Sequence, residues 1–196
     1  MNKYFKLAGL LAASLFVQTQ AGASSLNYLS NTSNATYGWK ATVQTFTADA
    51  NETLLNYSFA GGNGNQSTYV FNLYDWTTSG DHASLFSTTQ SWLGGINTIN
   101  SINVALQAGH TYAAEVKYLG TTTGGVIYGS NVYAGGSGFW ASNSLTNGNS
   151  ANFTNYSVYD TAFSLNVSAV PEPESYAMLL AGLGLLGAIA RRRKQA

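Results

Sequence analysis

The sequence predicts an all-β protein built as an antiparallel β-sandwich, with a hydrophobic delivery segment at each end. Three observations carry this. Apolar residues through the middle of the chain recur with a period of two. Glycine- and asparagine-rich turn signals separate the runs at short intervals. No amphipathic helical pattern occurs between the two ends.

The N-terminal segment comes first. Lys3 and Lys6 precede an apolar stretch from Leu7 to Val17, and Ala21-Gly22-Ala23 forms a small-x-small cleavage site. Residues 1–23 are therefore expected to be a signal peptide, helical in its apolar part and cut after Ala23. Residues 24–168 then form the exported domain.

The strands follow. Leu55, Tyr57 and Phe59 alternate with Asn56 and Ser58, and Tyr69, Phe71 and Leu73 with Val70 and Asn72. Ile102, Val104 and Leu106 mark a third run. Tyr112, Ala114, Val116 and Tyr118 alternate with Glu115 and Lys117, which places Glu115 on a solvent face. Tyr159, Phe163, Leu165 and Val167 close the set. Turn signals include Gly61–Asn65, Thr78–Asp81, Gly94-Gly95, Ala108-Gly109-His110, Gly124-Gly125 and Gly135-Gly136. About eight to ten strands are expected from this spacing.

The tail has three parts in fixed order. Val170-Pro171-Glu172-Pro173 is a proline-bounded acidic hinge. Tyr176 to Ala190 is an apolar run without a polar stripe. Arg191, Arg192, Arg193 and Lys194 form a basic stop. The prolines are expected to hold the hinge extended, within a linker over 165–175. The 15 apolar or small residues of 176–190 would span about 22 Å as a helix, against about 30 Å of hydrocarbon, which suits a temporary anchor. The basic stop belongs on the cytoplasmic side. Ala177, Ala181, Gly184 and Ala188 share a stripe, which either lets another helix approach or reflects the usual composition of membrane helices.

This hinge, helix and basic stop resemble the PEP-CTERM sorting signal over residues 169–196. The resemblance implies recognition by an exosortase, cleavage near Pro-Glu-Pro, and release or transfer to the surface of a Gram-negative bacterium that makes extracellular polysaccharide. It names a route and leaves the cargo open. Within the domain, Gln44-Thr45-Phe46-Thr47, Tyr69–Tyr74, Leu106–Tyr112 and Asp160-Thr161-Ala162-Phe163 loosely resemble bacterial jelly-roll domains, some of which are carbohydrate-binding modules. No binding residue carries over from that likeness.

Charge narrows the functional classes. Between the signal and the tail only Lys40 and Lys117 are basic, against Asp49, Glu52, Asp75, Asp81, Glu115 and Asp160. The domain lacks the basic patch that nucleic-acid binding needs. The chain has no cysteine, which excludes disulfides, thiolate metal sites and a cysteine nucleophile.

Candidate chemistry is sparse. His82 and His110 sit in separate turns and make no metal signature. Neither Gly-x-Ser-x-Gly nor His-Glu-x-x-His occurs, so no catalytic residue is assigned. Asp75 and Asp160 would have to converge to act as a glycosidase pair. No cofactor is expected; Asp49, Glu52 and Asp160 could ligate a structural calcium, or cap turns and guard strand edges. Trp39, Trp76, Trp92 and Trp140 lie near strand ends and turns, where rings either fill the core or present flat faces to sugars. Trp76 and Trp140 are the two candidates for the outside, where they would stack on glycan, while the core is favoured for any single ring. Thr88-Thr89 and Thr121-Thr122-Thr123 are too short for an ice-binding array. The expected function is non-catalytic association with extracellular polysaccharide. The alternatives are a structural matrix or adhesion protein and, more distantly, a glycan hydrolase.

Overall fold

The computed structural model describes residues 25–32, 34–35, 41–62, 68–78, 82–119, 125–141, 154–156, 159–170 and 173–194. The expected signal peptide with Ala21 and Ala23, as well as Trp39, Pro171 and Glu172, lie outside the described residues.

Among the described residues the elements run β1 (Leu26–Asn27), β2 (Asn34–Ala35), β3 (Ala41–Thr47), β4 (Glu52–Gly61), β5 (Thr68–Asp75), β6 (Ser84–Ser91), β7 (Gly95–Ile99), β8 (Val104–Leu106), β9 (Thr111–Tyr118), β10 (Ile127–Ser130), β11 (Gly138–Ala141), β12 (Thr154–Tyr156), β13 (Tyr159–Thr161), β14 (Phe163–Ala169) and the helix α1 (Pro173–Lys194). The count exceeds expectation because several strands are only two or three residues long, too short to leave an alternation in the sequence.

All pairings are antiparallel. One sheet has the order β1-β14-β4-β7, with β8 also on β4. The second runs β12-β11-β3-β9-β5-β6, and a small third sheet runs β13-β10-β2. The first two face each other across one aromatic-rich core. Tyr57, Phe59, Ile99, Phe163 and Leu165 meet Phe46, Tyr69, Phe71, Tyr112 and Val116 there. The protein is thus a β-sandwich with a C-terminal helix.

The expected alternation holds along β5 and β9 and slips in β4. Val167 pairs with Leu54 where Asn166 pairs with Asn56, so Leu55 is an extra residue in a β-bulge. Leu54 therefore takes the core position, fully buried, and Leu55 is only half-buried. The Leu55 carbonyl accepts the Ile102 amide at 3.0 Å instead.

Trp92 anchors one end of the core. It is fully buried among Phe59, Tyr69 and Tyr118. Its indole needs a neighbour without a side chain, because a Cβ on Gly61 would stand 2.6 Å from its ring. Gly95 gives the following turn its left-handed φ of 89°. The Asn97 side chain fixes that turn, accepting the Leu93 amide at 2.9 Å and donating to the Leu93 carbonyl at 2.8 Å.

The tail differs from expectation at both ends. Strand β14 continues to Ala169, so the linker is short, and the helix begins at Pro173. A first-turn proline loses nothing, since its missing N–H would have no helical partner anyway. Residues 177–193 are all exposed, so the apolar helix is not packed on the sandwich. No helix among the described residues is long and apolar enough to cross a membrane by an ordinary criterion. The apolar part is the 15-residue run already noted, flanked by charge.

Candidate functional site

The six-stranded sheet has two faces, and register assigns residues to them. Val43 pairs with Phe139 on one side and Glu115 on the other, and Glu115 pairs with Asn72. Side chains paired directly across strands share a face. Phe139, Val43, Glu115 and Asn72 therefore form one row on the face turned away from the main core. Thr45, Ala113 and Tyr74 form the next row.

A small apolar cluster sits on this outer face. Val43, Tyr74 and Ala113 are buried, and Trp76 and Phe139 pack on them half-exposed. The Trp76 and Phe139 rings are stacked, with centroids 5.6 Å apart and planes 25° from parallel. His82 also neighbours Trp76, with ring centroids 6.2 Å apart and planes 42° from parallel. Its Nε2 is buried and has no hydrogen-bond partner among the described residues.

Beside the cluster lies a carboxylate. Glu115 Oε2 accepts from Asn72 Nδ2 at 2.9 Å and from the Tyr74 hydroxyl at 3.1 Å. Burial, and then the negative charge of Glu115, push the Tyr74 hydroxyl above its ordinary pKa. Glu115 is fully buried, which corrects the expectation of a solvent-facing residue. Alternation assigned its face correctly, but that face is covered at the middle of the sheet.

The two candidate stacking tryptophans part company. Trp76 is half-buried on the outer face. Trp140 is 2% exposed and packs edge-on against Tyr128 and Tyr159. Register is the reason: Trp140 pairs with Thr42 and turns inward, which turns its neighbour Phe139 outward. Phe139 was invisible as a site residue because a two-residue choice of face depends on the partner strand.

His110 and Asp75 form the second polar constellation. His110 Nδ1 lies 2.9 Å from Asp75 Oδ2, and both side chains are about one-third exposed, at 33% and 36%. Burial pushes the Asp75 carboxyl up, but hydrogen bonds from Thr77 and His110, together with the His110 charge, hold it below its ordinary pKa. The Thr77 hydroxyl donates to Asp75 at 2.6 Å and accepts the Thr111 amide at 3.1 Å, so it is not poised as a nucleophile. The pair arises because Asp75 faces Tyr112 across β5 and β9, two residues beyond His110. Sequence gave no hint of it.

Asp160 is no partner for Asp75. It is fully buried; its Oδ2 accepts the amides of Val132 at 2.9 Å and Tyr133 at 2.8 Å, and its Oδ1 accepts Gln44 Nε2 at 3.0 Å. Gln44 Oε1 in turn accepts the Thr161 amide at 2.7 Å. This network ties β3 to β13. Among the described residues no group of three or more His, Cys, Asp or Glu could hold a metal ion. Burial, and then repulsion from Asp49, push the Glu52 carboxyl above its ordinary pKa.

Comparison with known proteins adds one specific finding. Residues 169–194 match the PEP-CTERM protein-sorting motif. The chain therefore carries an exosortase-type sorting signal, which implies export and transient anchoring by the C-terminus. Val170, Pro173 and Arg191–Lys194 fall within the match. No curated protein matches the chain. A solved structure that resembles it holds the cysteine protease and lectin-like domains of Cwp84, a surface-layer-associated protein of Clostridium difficile. Identity is 13% with a TM-score of 0.46 over 67% of this chain, and the chain spans 33% of that structure's length.

Proposed function

We propose that this exported sandwich associates weakly and without catalysis with neutral extracellular polysaccharide, through the outer face of its six-stranded sheet. The single observation that carries the reading is the half-exposed Trp76–Phe139 stack. Flat rings present C–H-attracting faces to sugars, and an apolar platform with a few polar groups is the usual build of a small-ligand site. The unpartnered His82 Nε2 beside Trp76 supports it, because buried polar atoms without partners are scarce and call for an explanation. Low charge on the domain favours an uncharged ligand over an acidic one.

On this reading the exosortase cuts near Val170–Pro173 and frees the domain at the surface of a Gram-negative cell, with Arg191–Lys194 left on the cytoplasmic side. Trp76 and Phe139 are the stacking residues, and no catalytic residue and no metal take part. Affinity electrophoresis of the chain in gels containing neutral glucans or mannans tests it. The expected result is retardation that Trp76→Ala weakens by about tenfold or more. Equal mobility with and without every glycan, or retardation untouched by Trp76→Ala, contradicts it.

A further inference from the structure

The six-stranded sheet ends on β6, and among the described residues no strand pairs with its outer edge. Among the described residues the other strands that end or flank sheets are short: β1 and β2 have two residues, β8, β12 and β13 three, and β7 five. Strand β6 has eight. Long edges present a row of unpaired N–H and C=O groups that another strand can satisfy, and proteins usually guard them with charge or proline. Strand β6 reads Ser-Leu-Phe-Ser-Thr-Thr-Gln-Ser and has neither. A bulge at Leu85 interrupts only its first turn of pairing, since Leu73 pairs with Phe86 and Tyr74 with Ser84. No Asp, Glu, Lys or Arg occurs between Asp81 and Glu115.

The missing charge points to the partner. The domain is net acidic, so two copies repel over most approaches. The β6 edge is where like copies meet without juxtaposed charges. Leu85 near the start of the strand and Leu93 two residues past its end are exposed, at 45% and 58%, and Thr89 stands midway between them in the sequence. Antiparallel pairing of β6 with itself about Thr89 sets Ser87 of one copy opposite Ser91 of the other and brings Leu85 toward the partner's Leu93, at both ends. Such a contact is isologous and closes as a dimer.

We propose that β6 is a homodimer edge, joining two copies of this chain into one continuous sheet across a two-fold axis at Thr89. The inference is independent of the glycan reading, which concerns Trp76 and Phe139. Because the chain has no cysteine, a single introduced thiol reports on the pairing. The test uses the full chain in excess detergent micelles under mild oxidation. Thr89→Cys should cross-link to itself at least about tenfold faster than Ser84→Cys or the exposed Ser168→Cys on β14, since only residue 89 meets its own copy at disulfide distance. Ser87→Lys/Ser91→Lys should set lysines opposite each other and weaken self-association about tenfold in sedimentation, with monomer melting unchanged. A monomer at every concentration overturns the proposal. So does association in which residue 89 cross-links no faster than residue 168, or which the lysine pair leaves intact.

Discussion

The two faces of the six-stranded sheet are built from the same strands and solve opposite problems. The inner face carries Phe46, Tyr112, Tyr69, Phe71 and Leu73 and is closed by the opposing sheet. The outer face carries Val43, Tyr74 and Ala113 under a half-exposed aromatic pair, with a buried carboxylate beside it. The inner face is held by apolar area, and the outer face by a few directional bonds around Glu115. Stability should therefore concentrate on the inner side and its polar joint, and ligand chemistry on the outer side.

The largest effect is expected at that joint. Asp160→Ala leaves two amides without their acceptor and removes one of the two acceptors of Gln44 Nε2, at a cost of about 3–5 kcal/mol in chemical denaturation. A loss below about 1 kcal/mol would show that the joint is not a structural tie. Gly61→Ala comes next. The added methyl runs into the Trp92 ring, for about 1–3 kcal/mol, and thermal melting should show it.

On the outer face Glu115→Ala should cost about 1–3 kcal/mol, because the Tyr74 hydroxyl and Asn72 amide lose a buried acceptor. Trp76→Ala should lower stability less than any of these while weakening glycan retention by about tenfold or more. If Trp76→Ala unfolds the domain, the contrast between the faces fails.

The smallest effects are in pH dependence, and they have opposite signs. The Asp75 pKa is lowered in the folded state, so its contribution is present above the ordinary carboxylate value of about 4 and is lost as pH falls through the folded value. Asp75→Asn should flatten the acid limb of the stability profile. The Glu52 pKa is raised, so its contribution is full below the ordinary value and is lost as pH rises through the folded one. Glu52→Gln should raise the melting temperature at pH 7 and leave it unchanged near pH 3.

Much of the inner face was legible because a period of two survives along β5 and β9. Leu55 shows where that reading stops: a single bulge shifts the phase, and nothing in the sequence marks it. Trp140 and Phe139 show the same limit at the site. Adjacent residues on a strand face opposite ways, and only the pairing of β11 with β3 decides which is which. Glu115 was assigned to the correct face and the wrong environment, since alternation says nothing of what covers the second face. His110 and Asp75 are brought together by strand pairing across 35 positions, beyond any local pattern. The sorting signal was legible because it is a linear order of hinge, apolar run and basic stop, whereas the linker, shortened by β14 running to Ala169, and the helix bounds at Pro173 and Lys194 were not.

Hydrogen exchange read by mass spectrometry, with and without a bound neutral oligosaccharide, addresses the outer face most directly. The account predicts slowed exchange in the segments around Trp76 and His82 and around Phe139, with the core strand β14 unchanged. Slowing confined to other segments, or no change at saturating sugar, would contradict it.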